Sequence, residues 1–347
     1  MCNLQHFRPL IVADNRGAAN VFLAISVISR AAAGFPFTPL AGYIGNMSTI
    51  AAETKPKDLL SPELLAQLEK LELVSRKVFR GRMKGERRSK RKGQSVEFAD
   101  FRNYVAGDDL RFIDWNTYAR LDKLFLKMFL EEEDLHFYAL IDASQSMTFG
   151  EPSKLHYAKQ LAAALGFIGL VRADRVRIET LGQPARQSAP VLRGRKSVWR
   201  MLGELDKIES EQHSSLAAGI KNFCLRNSGK GILVLISDLM DKQGYEAAFR
   251  YLVAQQMDVY VVHVLSAEEL DPDVKGDLKF VDCEDGDVAE VTVSAPLLNR
   301  YKQTLAAFVD GAKNFCNRRG MNYLLAKNQT PVDQFITSYL QQRGLVR

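Results

Sequence analysis

Asp142, Ser144 and Ser146 occupy alternate positions in "HFYALIDASQSMTFG" (residues 136–150), where an apolar run of strand length stops on an acid before a helix begins. Side chains on every second residue of an extended segment turn the same way, so one carboxylate and two hydroxyls can line a common pocket. A second apolar run, "GILVLISD", stops on Asp238, 96 positions further along. Oxygen donors without imidazole or thiolate suit a hard divalent cation, Mg²⁺ in particular, which keeps waters in its other octahedral positions. The alternative is that a serine merely caps the next helix while Asp142 accepts backbone N–H bonds. A second strand ending in an acid favours the metal.

For two acids so far apart in sequence to share one ion, their strands must be brought side by side. From Leu135 onward, apolar runs alternate with helical segments: "HFYALID", helix "KLHYAKQLAAALGFIGLVRA", "RVRIETL", helices "VWRMLGELDKI" and "SLAAGIKNFCLRN", "GILVLISD", helix "YEAAFRYLVAQQ", "DVYVVHVL". That rhythm predicts an α/β fold, a doubly wound and mostly parallel sheet flanked by helices, with its ligand crevice at the carboxyl ends of the strands where the strand order reverses. Two more helices, over "LLNRYKQTLAAFVDGAKNFCNRRG" and "VDQFITSYLQQRG", each close on a glycine suited to a left-handed cap. Upstream, Ser61-Pro62-Glu63 starts a helix running to about Val78, "AGDD" reads as a turn and "KLFLKMF" as a strand. The expected divisions are a disordered or mis-called extension over 1–57, a smaller N-terminal α+β extension over 58–134, and the main domain with its C-terminal helices over 135–347. Within the first, "VFLAISVI" is far too short to span a bilayer, and Met47 reads as the natural start of a soluble chain.

Hydrophobic residues make up 46% of the 347, ample for a buried core. The net charge of +6 is uneven: residues 76–92, "RKVFRGRMKGERRSKRK", carry +9, leaving the remainder at −3. A local basic segment on a near-neutral protein reads first as a solvated surface or ordinary linker, and otherwise can face nucleic acid, an anionic membrane surface or an acidic protein. No aromatics alternate with these charges as a single-strand-binding platform wants, so nucleic acid is the weakest of the three. Cys2, Cys224, Cys283 and Cys316 form no CxxC pair and no zinc spacing, which fits inert packing in a reducing, cytoplasmic setting.

Other constellations carry less. Asp108, Asp109, Arg111 and Asp114 in "AGDDLRFIDW" read as an ion-paired scaffold, with Trp115 and Tyr118 as packing; Glu131 to Asp134 read as a solvated acidic edge. His136, His156 and His213 are scattered. There is no G-x-S-x-G elbow, P-loop or dinucleotide fingerprint, so any ATP chemistry belongs to another protein. A Mg²⁺-dependent phosphohydrolase with Asp142 as nucleophile remains an alternative, weakened because the D-x-D such enzymes use would need an acid where Ser144 stands.

"DASQSM" is similar to the D-x-S-x-S signature of the metal-ion-dependent adhesion site in von Willebrand factor A domains. With "SVEFADFRNYVAGDDLRFIDWNTYARLDKLFLKMFLEEED", "SKLHYAKQLAAALGF", "VLISDLMD" and "FVDCEDG", the chain resembles the bacterial domain of unknown function 58 family across roughly residues 58 to 343. The resemblance implies a von Willebrand factor A-like fold and frequent genomic company with MoxR-type AAA ATPases. It assigns the metal to Asp142, Ser144, Ser146 and Asp238, and to Ser214, or Ser215 in its place, where the family usually has Thr. It also implies that a partner's Asp or Glu completes the coordination of Mg²⁺, Mn²⁺ or Ca²⁺, which makes the protein a non-catalytic interaction module, a partner or adaptor of such an ATPase.

Overall fold

The computed structural model describes residues 9–13, 21–24, 59–75, 97–130, 135–181, 190–210, 215–227, 230–274, 276–282 and 288–347. The strands are β1 (Pro9–Ala13), β2 (Val21–Ala24), β3 (Glu97–Asn103), β4 (Phe125–Leu130), β5 (His136–Asp142), β6 (Arg175–Leu181), β7 (Leu192–Arg193), β8 (Gly231–Ser237), β9 (Met257–Leu265), β10 (Gly276–Asp282), β11 (Val288–Val293) and β12 (Asn322–Lys327). The helices are α1 (Pro62–Leu68), α2 (Trp115–Leu121), α3 (Lys154–Val171), α4 (Val198–Asp206), α5 (Leu216–Arg226), α6 (Glu246–Val253), α7 (Ala267–Leu270), α8 (Ala295–Arg318) and α9 (Val332–Gln334), the last continuing into a π-helix over Phe335–Leu340.

Residues 1–74 and 136–347 form one compact unit, and residues 75–135 a second. The larger unit is built on a six-stranded sheet of order β12-β9-β8-β5-β6-β7. Its first five strands are parallel and the two-residue β7 pairs antiparallel to β6 at the edge. Every residue of β8 and β9 is buried, as are six of the seven in β5. Helices on both faces exclude water from both, which is why these strands read as unbroken apolar runs rather than alternating ones.

Tyr138, Leu140, Leu233, Leu235, Val259 and Val261 pack on one face with residues of α5, α6 and α8. The intervening Phe137, Ala139 and Ile141 point to the other face, against α3. That helix is apolar nearly all round, with fourteen of eighteen residues buried, and Gly166 and Gly169 let Met201 and Val176 approach closely.

Ser61 caps α1 as expected, its hydroxyl accepting from the Leu64 N–H with Pro62 in the first turn. The helix is shorter than its spacing suggests, ending at Leu68 instead of about Val78. Beyond it, Glu72 and Val74 pair through their backbones with Arg347 and Leu345, and Leu73 bridges Val346. Pairing to the C-terminus takes up backbone groups that a longer helix would use.

Strands β10 and β11 form a hairpin, and β1 lies antiparallel against β10 with β2 beyond it. Two strands therefore stand within the stretch expected to be a disordered extension. In the second unit, β3 and β4 pair antiparallel, Asp114 caps α2 and reaches Lys127, Asp108 binds Arg102, and Asp109 binds Arg111. The acids of "AGDDLRFIDW" thus serve as caps and ion pairs. Trp115 and Tyr118, expected to be packed, are exposed and touch edge to face, because they lie on a seven-residue helix whose described residues include no buried one. The basic stretch 76–92, residues 131–134, Cys2, Cys283, His213 and Ser214 lie outside the described residues.

Candidate functional site

Chain order explains where the site falls. From β5 the chain moves outward to β6 and β7, then returns to the other side of β5 for β8, β9 and β12. The connections therefore diverge between β5 and β8, and a crevice opens there at the carboxyl ends. Asp142 is the last residue of β5 and Asp238 directly follows β8. A hollow at these strand ends is lined by both acids together with Ser144, Leu216, Leu239, Met240 and Asp241.

Asp142 is held at both oxygens: Oδ1 accepts the Ser144 N–H at 3.0 Å and Oδ2 the Ser237 hydroxyl at 2.5 Å. Ser144 Oγ and Ser146 Oγ lie 3.0 Å apart. Asp238 Oδ1 accepts the Met240 N–H at 3.1 Å, while Oδ2 accepts from Lys154 Nζ at 2.8 Å. The same ammonium donates to Glu269 Oε1 at 2.6 Å. Glu269 Oε2 in turn accepts the Ser266 N–H in the capping box that opens α7. All of these side chains are buried, Lys154 completely.

Burial and the neighbouring Asp238 raise the Asp142 carboxyl to about 6. Burial also pushes Asp238 upward, but the Lys154 charge and hydrogen bond, with Ser146 and the Met240 N–H, more than offset it and hold it below the ordinary carboxylate range. Burial raises Glu269, with Lys154 opposing. For Lys154, the two carboxylates outweigh burial and keep it charged. The nearby His263 is lowered by burial to about 4, so it is neutral.

Residues 100–308 match the family described as "Protein of unknown function DUF58". This chain belongs to that family. It is similar, at 26% identity over 256 residues, to the uncharacterized proteins Rv1480 of Mycobacterium tuberculosis and Mb1516 of Mycobacterium bovis, covering 72% of this chain and 80% of each relative. Among solved structures it is similar to the conserved hypothetical protein BatB from Bacteroides thetaiotaomicron (TM-score 0.37, 18% identity, 60% of this chain and 98% of that one). An aerotolerance-related membrane protein from Bacteroides fragilis gives TM-score 0.36 at 18% identity, over 60% of this chain and 99% of that one. Among the described residues, no helix is long and apolar enough to cross a membrane.

Of the residues singled out in this member of the DUF58 family, Asp142, Ser144, Ser146 and Asp238 come together. Ser214 lies outside the described residues, and Ser215 caps α5, its hydroxyl accepting from the Ala218 N–H. Four residues at the site carry no sequence motif that announces them. Ser237 clamps Asp142 across the strands; Asp241 holds the Leu216 N–H at the mouth of the hollow. Lys154 and Glu269 form the buried ion pair behind Asp238. A lysine one residue into a helix reads as a surface group until the fold buries it.

Proposed function

We propose that this chain is a divalent-metal-dependent protein-interaction module on a von Willebrand factor A-like scaffold, its partner supplying the carboxylate that completes the site. The convergence of Asp142, Ser144, Ser146 and Asp238 at the point where the sheet's connections diverge carries the reading. The donor set fits a hard cation. Asp142, Ser144 and Asp238 line the hollow with oxygens, Ser146 stands behind Ser144, and the 3.0 Å between the two serine hydroxyls is about the edge of an octahedron with ligands at ~2.1 Å. Three buried carboxylates, Asp142, Asp238 and Glu269, against the single ammonium of Lys154 leave negative charge that a dication offsets. No group of three or more His, Cys, Asp or Glu side chains among the described residues forms a metal cage, so the hydroxyls are essential to the reading. The strand order, with one short antiparallel edge strand, also suits the scaffold.

Ser144 and Ser146 would hold the ion, with Asp142 and Asp238 balancing its charge. The cation would supply an electrostatic anchor for an incoming Asp or Glu. The phosphohydrolase alternative is less well supported, since both Asp142 oxygens are engaged by Ser144 and Ser237 and Ser144 stands where a second acid is needed. The proposed partner is a MoxR-type AAA ATPase in the cytoplasm. Affinity capture with Mg²⁺, against excess chelator and against Asp142→Ala, tests the proposal: partner recovery should require both metal and Asp142. Capture unchanged by chelation rejects it.

A further inference from the structure

Lys154 is an unusual neighbour for a cation site. Its ammonium is fully buried, one carboxylate behind the hollow, and is fixed by Asp238 Oδ2 at 2.8 Å and Glu269 Oε1 at 2.6 Å. The three elements it joins are the start of α3, the end of β8 and the start of α7, and Tyr301 of α8 donates to the Glu269 carbonyl at 2.7 Å to hold the last of these in place. Removing one partner from such a buried set leaves an uncompensated charge, so the arrangement is built as a unit.

Resting on the proposed metal-dependent reading, we propose that Lys154 is the positioning residue that makes this site a receptor for carboxylates, by cancelling the Asp238 charge from inside the protein. With Lys154 present, the buried carboxylates Asp142, Asp238 and Glu269 carry two negative charges in excess, which a bound dication cancels; Asp241, at the mouth of the hollow, is half-buried and screened by solvent. An arriving carboxylate then meets the cation against no excess of buried negative charge. Without Lys154 the loaded pocket is anionic: it grips the cation more tightly and turns the carboxylate away. Lys154 therefore trades metal affinity for ligand affinity. Its hydrogen bond to Oδ2 also engages one Asp238 oxygen.

Opposite charge changes on the two sides of the ion pair test this. Full-length wild type, Lys154→Met and Glu269→Gln are titrated with Mn²⁺, followed by its electron paramagnetic resonance signal; the Mn²⁺-loaded proteins are then titrated with acetate, followed by water-proton relaxation. Lys154→Met should bind Mn²⁺ on the order of tenfold more tightly and acetate on the order of tenfold more weakly; Glu269→Gln should shift both in the reverse directions. The double variant, with one charge of each sign removed, should return towards wild type. Glu269→Gln keeps the Lys154–Asp238 pair, so it decides the matter if Lys154→Met alone does not fold. A purely structural role would weaken both bindings in both variants, and that result, or no change, overturns the proposal while leaving the metal site standing. Failure of wild type to bind Mn²⁺ overturns both.

Discussion

Replacing Asp142 with Asn should stabilise the metal-free protein at neutral and alkaline pH. The carboxyl titrates at about 6 in the fold against 3.8 ordinarily, because it is buried and faces Asp238. A group raised in this way binds its proton more tightly in the folded state. Its contribution to stability is therefore present in full below about pH 4 and is lost as pH rises through 6. At 1.36 kcal/mol per pH unit, the difference between 3.8 and 6 makes the ionised carboxylate cost about 3 kcal/mol at pH 8. Asn carries no such penalty and keeps both contacts: its oxygen accepts the Ser144 N–H, and its amide donates to Ser237 Oγ, which rotates its own proton away.

Urea unfolding in the presence of EDTA should show Asp142→Asn more stable than wild type by about 2–3 kcal/mol at pH 8, the difference closing towards zero near pH 4. Mn²⁺ at a hundredfold over its Kd should stabilise wild type by about 2.7 kcal/mol and leave the variant unmoved. A variant less stable than wild type at pH 8, or a difference equal at both pH values, would refute the electrostatic account of the site.

Three further outcomes are expected. Gly231→Ala puts a Cβ into the His136 carbonyl where β8 enters beside β5, and since backbone cannot swing aside, it should cost about 1–3 kcal/mol or more, seen as a lowered Tm. Ser153→Ala removes the hydroxyl that accepts the His156 N–H at the start of α3 and should cost about 1 kcal/mol in denaturant unfolding without changing Mn²⁺ binding. Burial pushes the Cys224 and Cys316 thiols up to about 11 and about 12, so peptide mapping after iodoacetamide treatment of native protein at pH 8 should find the buried Cys316 unmodified and the half-buried Cys224 labelled more slowly than a free thiol; labelling of Cys316 at the rate of a free thiol contradicts its burial.

The central sheet was legible because β5, β8 and β9 are covered on both faces, so burial wrote itself into the sequence as unbroken apolar runs. β12 was not, since "NYLLAK" is short and half-buried, and β7 spans only two residues. β3 and β4 differ in the same way: "KLFLKMF" announces itself, whereas "EFADFRN" mixes acids and aromatics and carries a register shift between Phe98 and Asp100. At the site, the motif exposed Asp142, Ser144 and Ser146, and strand endings exposed Asp238. Lys154 and Glu269 escaped because a buried ion pair joins residues 115 positions apart, and neither chain segment alone differs from an ordinary capped helix start.

The backbone at the end of β8 ties these parts together. Leu239 holds φ 59°, a left-handed conformation that costs a β-carbon residue on the order of 1–2 kcal/mol. That turn brings the Leu239 N–H onto Ser237 Oγ at 2.9 Å and the Met240 N–H onto Asp238 Oδ1 at 3.1 Å. Ser237, oriented by Leu239, is then free to donate to Asp142 on the neighbouring strand. One strained residue thus fixes both acids, one through its own turn and the other through a hydroxyl reaching across the sheet. A chain selected only for stability would relax Leu239 and neutralise Asp142; that this one retains the strained turn beside two desolvated carboxylates is the pattern expected where a binding site is held ready at the expense of the fold.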